Sequence, residues 1–115
     1  MDVRARLQNY RVSARKARLL ADQIRGKPVE EALTVLNLSP KRFAKTLAKL
    51  LRSAVANAEQ KNNRDSAGID VDNLVVRKIN VDVGPSMWRI RARAQGRAAW
   101  IQRKTSHVSV VLTEE

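Results

Sequence analysis

The sequence contains no cysteine, three prolines, four glycines and only 3% aromatic residues, and it is poor in acids, with 11 Asp and Glu against 23 Lys and Arg. Each shortage excludes something. Without cysteine there is no disulfide framework, no thiolate catalysis and no cysteine-ligated zinc, and the chain suits a reducing compartment. So few aromatics mean that any core must be built from Leu, Val, Ile and Ala. No apolar run approaches the ~20 residues needed to cross a bilayer. The start, Met1-Asp2-Val3-Arg4-Ala5-Arg6, has none of the apolar core of a secretory signal. The expectation is a soluble, cytoplasmic, strongly basic protein, with no membrane association.

What is present is enough for one folded unit. At 115 residues, 12.9 kDa and 43% hydrophobic, the chain can build one core but not two, so residues 1–115 read as a single domain. The net charge of +12 is distributed unevenly. Residues 1–27 carry +6, residues 28–66 carry +3, residues 67–76 carry −2 and residues 77–115 carry +5. From Gly84 to Lys104 there are six basic residues and not one acid. Like charges repel, so an acid-free stretch of that length calls for a polyanion, with phosphate the usual candidate.

Periodicity supplies the elements. Val3 to Gln8 alternates as a strand, with Val3, Ala5 and Leu7 inward and Arg4 and Arg6 outward. Ser13 is an N-cap for a helix over Ala14 to Arg25, whose buried stripe is Ala14, Ala17, Leu20, Ala21 and Ile24, and Gly26 stops it. Pro28 opens a second helix at its first position, with Glu30 and Glu31 in the first turn and Val29, Ala32, Leu33 and Leu36 buried. A long third helix runs from about Pro40 to Lys61, and Asn62 to Gly68 is a turn-rich loop. The period then shortens to two. Leu74 to Val83 is a strand with Val75, Ile79, Val81 and Val83 on one side, and His107 to Leu112 alternates through Val108, Val110 and Leu112. The order β-α-α-α-β-β predicts an α+β fold: a three-stranded antiparallel sheet with three helices packed on it.

Residues 84–100 do not fit a compact body. Joining the last two strands needs two to five residues, and seventeen stand there. The alternation Arg89-Ile90-Arg91-Ala92-Arg93-Ala94 favours an extended hairpin arm reaching roughly 25 Å outward. Such a ribbon is marginal in water by itself. Ala92, Ala94, Gly96, Ala98 and Ala99 keep it slim enough to thread between nucleic-acid helices, while arginine forks bind phosphate. Trp88 and Trp100 either stack on unpaired bases or cap the sheet's apolar edge.

Val81-Asp82-Val83-Gly84-Pro85-Ser86-Met87, Arg93-Ala94-Gln95-Gly96-Arg97-Ala98 and Lys104-Thr105-Ser106-His107-Val108 resemble the bacterial large-subunit ribosomal protein L-twenty-two family. So do Ser13-Ala14-Arg15-Lys16-Ala17-Arg18-Leu19, Ile24-Arg25-Gly26-Lys27 and Ala54-Val55-Ala56-Asn57-Ala58-Glu59. Six fragments in order cover nearly the whole chain. The resemblance implies a body at the outside of the large ribosomal subunit and a hairpin that lines the peptide exit tunnel. Its implied partners are large-subunit ribosomal RNA, neighbouring ribosomal proteins and the nascent polypeptide, with no cofactor and no stable homo-oligomer. Arg4, Arg6, Arg11, Arg15, Lys16 and Arg18 cluster on the first strand and first helix and read either as a grip on RNA backbone or as an ordinary solvated face; with Arg89, Arg91, Arg93, Arg97, Arg103 and Lys104 they are the candidate residues implied for RNA binding. Met87, Trp88, Arg89, Arg91, Arg93, Gln95 and Arg97 are implied at or near the tunnel-lining tip. The arm departs from the family's common pattern at Trp88, Ala92 and Gln95, where Lys, Pro and a basic residue are usual.

Other chemistries have thinner support. His107 is the only histidine, and a ribonuclease built on it with Lys104 or Arg103 would still need an orienting partner and a substrate pocket. Asp70 and Asp72 are a loop pair without a third ligand. The arm, residues 84–100, is expected to lack the Trp, Phe and Leu face that an interfacial membrane helix needs. A free-standing nucleic-acid binder remains the alternative to a ribosomal constituent. Lys41, Arg42, Lys45, Lys49 and Arg52 on the third helix are read equally as a solvated face or an RNA surface.

Overall fold

The computed structural model describes residues 2–65 and 68–114. Strand β1 (Asp2–Tyr10) leads into helices α1 (Ala14–Ile24), α2 (Val29–Leu38) and α3 (Arg42–Asp65). Strands β2 (Leu74–Val83), β3 (Met87–Ala92), β4 (Ala98–Arg103) and β5 (Ser106–Glu114) follow. β1, β5 and β2 form a three-stranded antiparallel sheet in that spatial order, and β3 and β4 form a separate two-stranded ribbon. The expected α+β fold is therefore present, with the last strand at the centre of the sheet.

The helices cover one face. α1 packs on β2, α3 lies across β1 and β5, and α2 rests on α3. Leu20, Ile24, Leu36, Leu47, Leu51, Ile79, Val108, Val110 and Leu112 are essentially inaccessible. Aliphatic packing supplies the core, as the scarcity of aromatics requires. The ring pair Tyr10 and Phe43, with centroids 5.6 Å apart, closes one edge. The other face of the sheet is uncovered: Arg4, Arg6, Lys78 and Asn80 point outward from it.

Capping follows the local chemistry. The Ser13 hydroxyl accepts from the Lys16 amide at 3.3 Å, and Gly26 takes φ +81° just past the end of α1. The Gly26 N–H donates to Val76 C=O and the Val76 N–H to Lys27 C=O, both at 2.9 Å, so this turn is stitched to β2. Three expectations are corrected. Pro28 is the N-cap of α2, one position earlier than expected. α3 starts at Arg42, two residues after Pro40, and continues to Asp65. It passes Lys61 because Asn62 works inside the helix, its side-chain oxygen accepting from Ile69 N–H and its amide donating to Ile69 C=O, each at 2.7 Å. Of the expected loop, Ser66 and Ala67 lie outside the described residues.

The third correction concerns β2. An irregularity between Val76 and Lys78 shifts its register against β5. Leu74 and Val76 are buried before it and Ile79 and Val81 after it, so Val75 does not share the inward side; Val83 keeps the parity of Ile79 and Val81 but is exposed at the end of the strand. A bulge inserts one unpaired residue and flips the alternation.

Candidate nucleic-acid interface

Three cationic surfaces surround the core. The first is the open face of the sheet, where β1 contributes Arg4 and Arg6 and β2 contributes Arg77 and Lys78 around a shallow depression of about 650 Å³. Arg77 bridges to Asp2 at 3.0 Å, reaching across β5 from one edge strand to the other. Burial acts to raise the Asp2 pKa, but the hydrogen bond from Thr113 and the charge and hydrogen bond of Arg77 outweigh it and hold the carboxyl below its ordinary value.

The second surface is a crevice of about 690 Å³ where the start of α1, the start of α3 and the root of the ribbon meet. Arg11, Lys16, Lys41, Arg42, Arg103 and Lys104 line it, above a floor that includes Leu20 and Phe43. Among the described residues none of these six cations forms an ion pair, and no acid lines the crevice. Two helix N-termini add their positive ends to the same space. This is an anion-binding geometry.

The third surface is the arm. β3 and β4 pair only with each other, from Met87 opposite Arg103 to Ala92 opposite Ala98. A three-residue loop, Ala94 to Gly96, reverses the chain between Arg93 and Arg97, whose backbone N–H and C=O meet at 2.6 Å. Gln95 and Gly96 both have positive φ, 63° and 72°. The expected 84–100 arm therefore extends on its return leg to Arg103. It lengthens the molecule to 64 Å and raises the radius of gyration to 17.4 Å, against about 13 Å for a compact chain of this size.

The arm's root is tightly built. The Gly84 N–H donates to Thr105 C=O at 2.9 Å, the Thr105 hydroxyl donates to Pro85 C=O, and the buried Ser106 hydroxyl donates to Val12 C=O at 2.7 Å. His107 belongs to this root: its Nδ1 accepts the Asn9 N–H at 3.1 Å. That bond turns one ring nitrogen to holding the β1 irregularity, where Asn9 takes φ 55°. Asp70 is similarly occupied, capping the short turn Val71–Asn73 by accepting from Asp72 N–H and the Asn73 amide.

The residues implied for RNA binding fall into distinct places. Arg4 and Arg6 lie on the open sheet; Arg11, Lys16, Arg103 and Lys104 lie in the crevice, with Arg15 exposed on α1 nearby. Arg18 is exposed but tied to the body, its Nε and Nη2 donating to Val81 C=O at 3.3 and 3.0 Å. Arg25 makes the same kind of clasp to Ile79 C=O at 2.9 Å. Arg89 and Arg91 are mid-ribbon, and Arg93, Gln95 and Arg97 form the end loop. Met87 and Trp88 stand at the opposite end of the ribbon from that loop, beside the root. Arg77 and Lys78 escaped the sequence reading, since grouping them with Arg4 and Arg6 requires the strand order.

The sequence matches a known family along nearly its whole length. Residues 5–113 match the family model described as Ribosomal protein L22p/L17e. The chain is 51% identical to the large ribosomal subunit protein uL22 of Maridesulfovibrio salexigens over 99% of each chain. It is 50% identical to that of Geobacter metallireducens over the whole of both, and 56% identical to that of an Anaeromyxobacter species over 94% of this chain and 72% of the relative. A match across the body and the arm together means that the chain belongs to the ribosomal protein L22p/L17e family.

Proposed function

We propose that this protein is a structural, non-enzymatic constituent of the large ribosomal subunit, acting in the cytoplasm. Its body grips large-subunit ribosomal RNA through the open sheet face and the crevice, beside neighbouring ribosomal proteins. The arm threads inward through the RNA, and its end loop, Arg93 to Arg97, forms part of the polypeptide exit tunnel wall, where it meets the nascent chain. One observation carries the reading. The arm holds six basic residues and no acid between Gly84 and Lys104, and β3 is exposed at every residue. A ribbon that buries so little and repels itself has no reason to persist except inside a polyanion that encloses it. The rest of the basic surface supports the same partner, because phosphate contacts position a protein without requiring a base sequence.

The test is co-sedimentation with large ribosomal subunits after a high-salt wash, comparing the intact chain with one carrying Arg93→Glu and Arg97→Glu. The intact chain should remain with the subunit, and the charge-reversed chain should be depleted. Loss of the intact chain to the supernatant, with equal binding to ribosomal and competitor RNA, would establish a general nucleic-acid binder instead.

A further inference from the structure

The ribbon has two unlike faces. In an antiparallel pair, residues directly opposite each other project to the same side. One face therefore carries Trp88, Ile90 and Ala92 opposite Gln102, Trp100 and Ala98, and it has no charge. The other carries Arg89, Arg91 and Arg103 together with Met87, Ile101 and Ala99, so all the ribbon's strand cations are on this side. Trp88, Ile90 and Trp100 are 55%, 63% and 65% exposed, so the uncharged face is an uncovered aromatic strip, which corrects the expectation that the arm has no aromatic face; being a strand ribbon, it is still not an interfacial helix. Trp88 and Trp100 are diagonal neighbours, about 7–8 Å apart at the backbone. Among the described residues the only aromatic ring contact joins Tyr10 and Phe43, so neither indole face is taken by another ring.

We propose that Trp88 and Trp100 form a stacking platform for unpaired RNA bases, with Arg89, Arg91 and Arg103 holding phosphates from behind. The occupant follows from charge complementarity. An apolar peptide would satisfy the strip but leave the cations on the reverse face and in the end loop without a partner. A single-stranded nucleotide segment satisfies both faces at once, since every base offers a ring face and every linkage a phosphate. This rests on the RNA-binding reading above and goes beyond it by assigning base contacts to two residues that no phosphate needs.

The two indoles are the only tryptophans in the chain, so emission of the full-length protein reports on them alone. Oligouridylate should quench that emission, and an RNA duplex of equal length should bind through charge without quenching. Trp88→Leu and Trp100→Leu should each weaken oligouridylate binding by about 5- to 100-fold while leaving duplex binding unchanged, and Phe at either position should restore most of it. Exposed arm positions should leave the melting temperature of all four variants near that of the parent. Salt-sensitive binding of oligouridylate with unchanged emission, and with Leu variants equal to the parent, would overturn the platform while sparing the RNA reading. Failure to bind either RNA at low salt would overturn both. A blue shift with an apolar peptide but not with oligouridylate would assign the strip to polypeptide and also overturn it.

Discussion

Replacing Gly84 with alanine tests whether the arm's root is as close-packed as its geometry indicates. A Cβ built there would stand 2.7 Å from Thr105 Oγ1, 3.3 Å from His107 Nε2 and 3.3 Å from the Thr105 carbonyl carbon. Real Cβ atoms do not approach to the first distance, so something must move. Thr105 is poorly placed to give way: it is β-branched, 6% exposed, and its hydroxyl is held by Pro85 C=O. Backbone strain is not at issue, because Gly84 does not have a left-handed φ. In that respect alanine would gain about 0.4–1 kcal/mol from a less flexible unfolded chain.

The opposing costs are larger. Pushing the Thr105 hydroxyl off its acceptor leaves a buried polar group worth about 1–3 kcal/mol, and forcing a methyl into a filled site adds about 1–3 kcal/mol. The net expectation for Gly84→Ala is a loss of about 1–5 kcal/mol. For 115 residues the unfolding entropy is about 0.24 kcal/mol/K, so the melting temperature should fall by about 4–21 °C. Adding Thr105→Ala removes the atom at 2.7 Å, and the double variant should therefore be more stable than the sum of the singles by about 1 kcal/mol or more. Thermal melts by circular dichroism on the four proteins decide the matter. If Gly84→Ala melts at or above the parent, or the two effects simply add, the close-packed root is refuted.

The remaining predictions concern charge and mobility. Arg93→Glu and Arg97→Glu should shift the melting temperature by no more than about 2 °C, since exposed surface changes are usually within about 0.5 kcal/mol. Both should weaken binding to large-subunit RNA and flatten its salt dependence, and a large thermal loss would show the arm bound to the core. Asp2 has a lowered folded pKa, so its bridge to Arg77 stabilises the fold above the unfolded value of 3.8 and is lost as pH falls through the folded value. The melting difference between the parent and Asp2→Asn should accordingly be steady near neutral pH and vanish in acid; a difference that grows in acid would reverse the assignment. Amides of Trp88 to Arg97 should exchange faster than those of β2 and β5 by hydrogen exchange in the RNA-free protein, and equal protection would mean that the ribbon is stable by itself.

Much of the body was legible because short-range chemistry decided it. The α1 stripe, the Ser13 cap and the Gly26 stop are all local signals, and each is realised in place. The failures share a cause as well. Asn62 reads as a turn residue by propensity, yet its amide reaches seven residues ahead to Ile69, and that contact extends α3 through it. Val75 reads as inward by parity with Ile79, yet the irregularity between Val76 and Lys78 resets the count. Both outcomes depend on partners that are invisible to a window sliding along one strand. The same holds for the surface. Basic residues could be counted, but Arg4 and Lys78 belong to one face only because β5 enters between their strands, and Lys16 and Arg103 share a crevice only because the arm springs from beside α1.

The arm makes this dependence sharpest. Its extended character follows from the alternation Arg89-Ile90-Arg91-Ala92, but alternation within one strand leaves open which residues of the other strand share a side. That is settled at the end loop. Three residues, Ala94, Gln95 and Gly96, lie between the bonded pair Arg93 and Arg97. An odd loop sets even-numbered residues opposite even-numbered ones, so Trp88 and Trp100 fall together and Arg89, Arg91 and Arg103 fall behind them. A loop longer or shorter by one residue would divide the tryptophans between faces and mix each with arginine. The positive φ of Gln95, which costs about 1–2 kcal/mol for a residue with a Cβ, is thus retained in a loop whose length decides how the arm distributes its aromatic and cationic side chains.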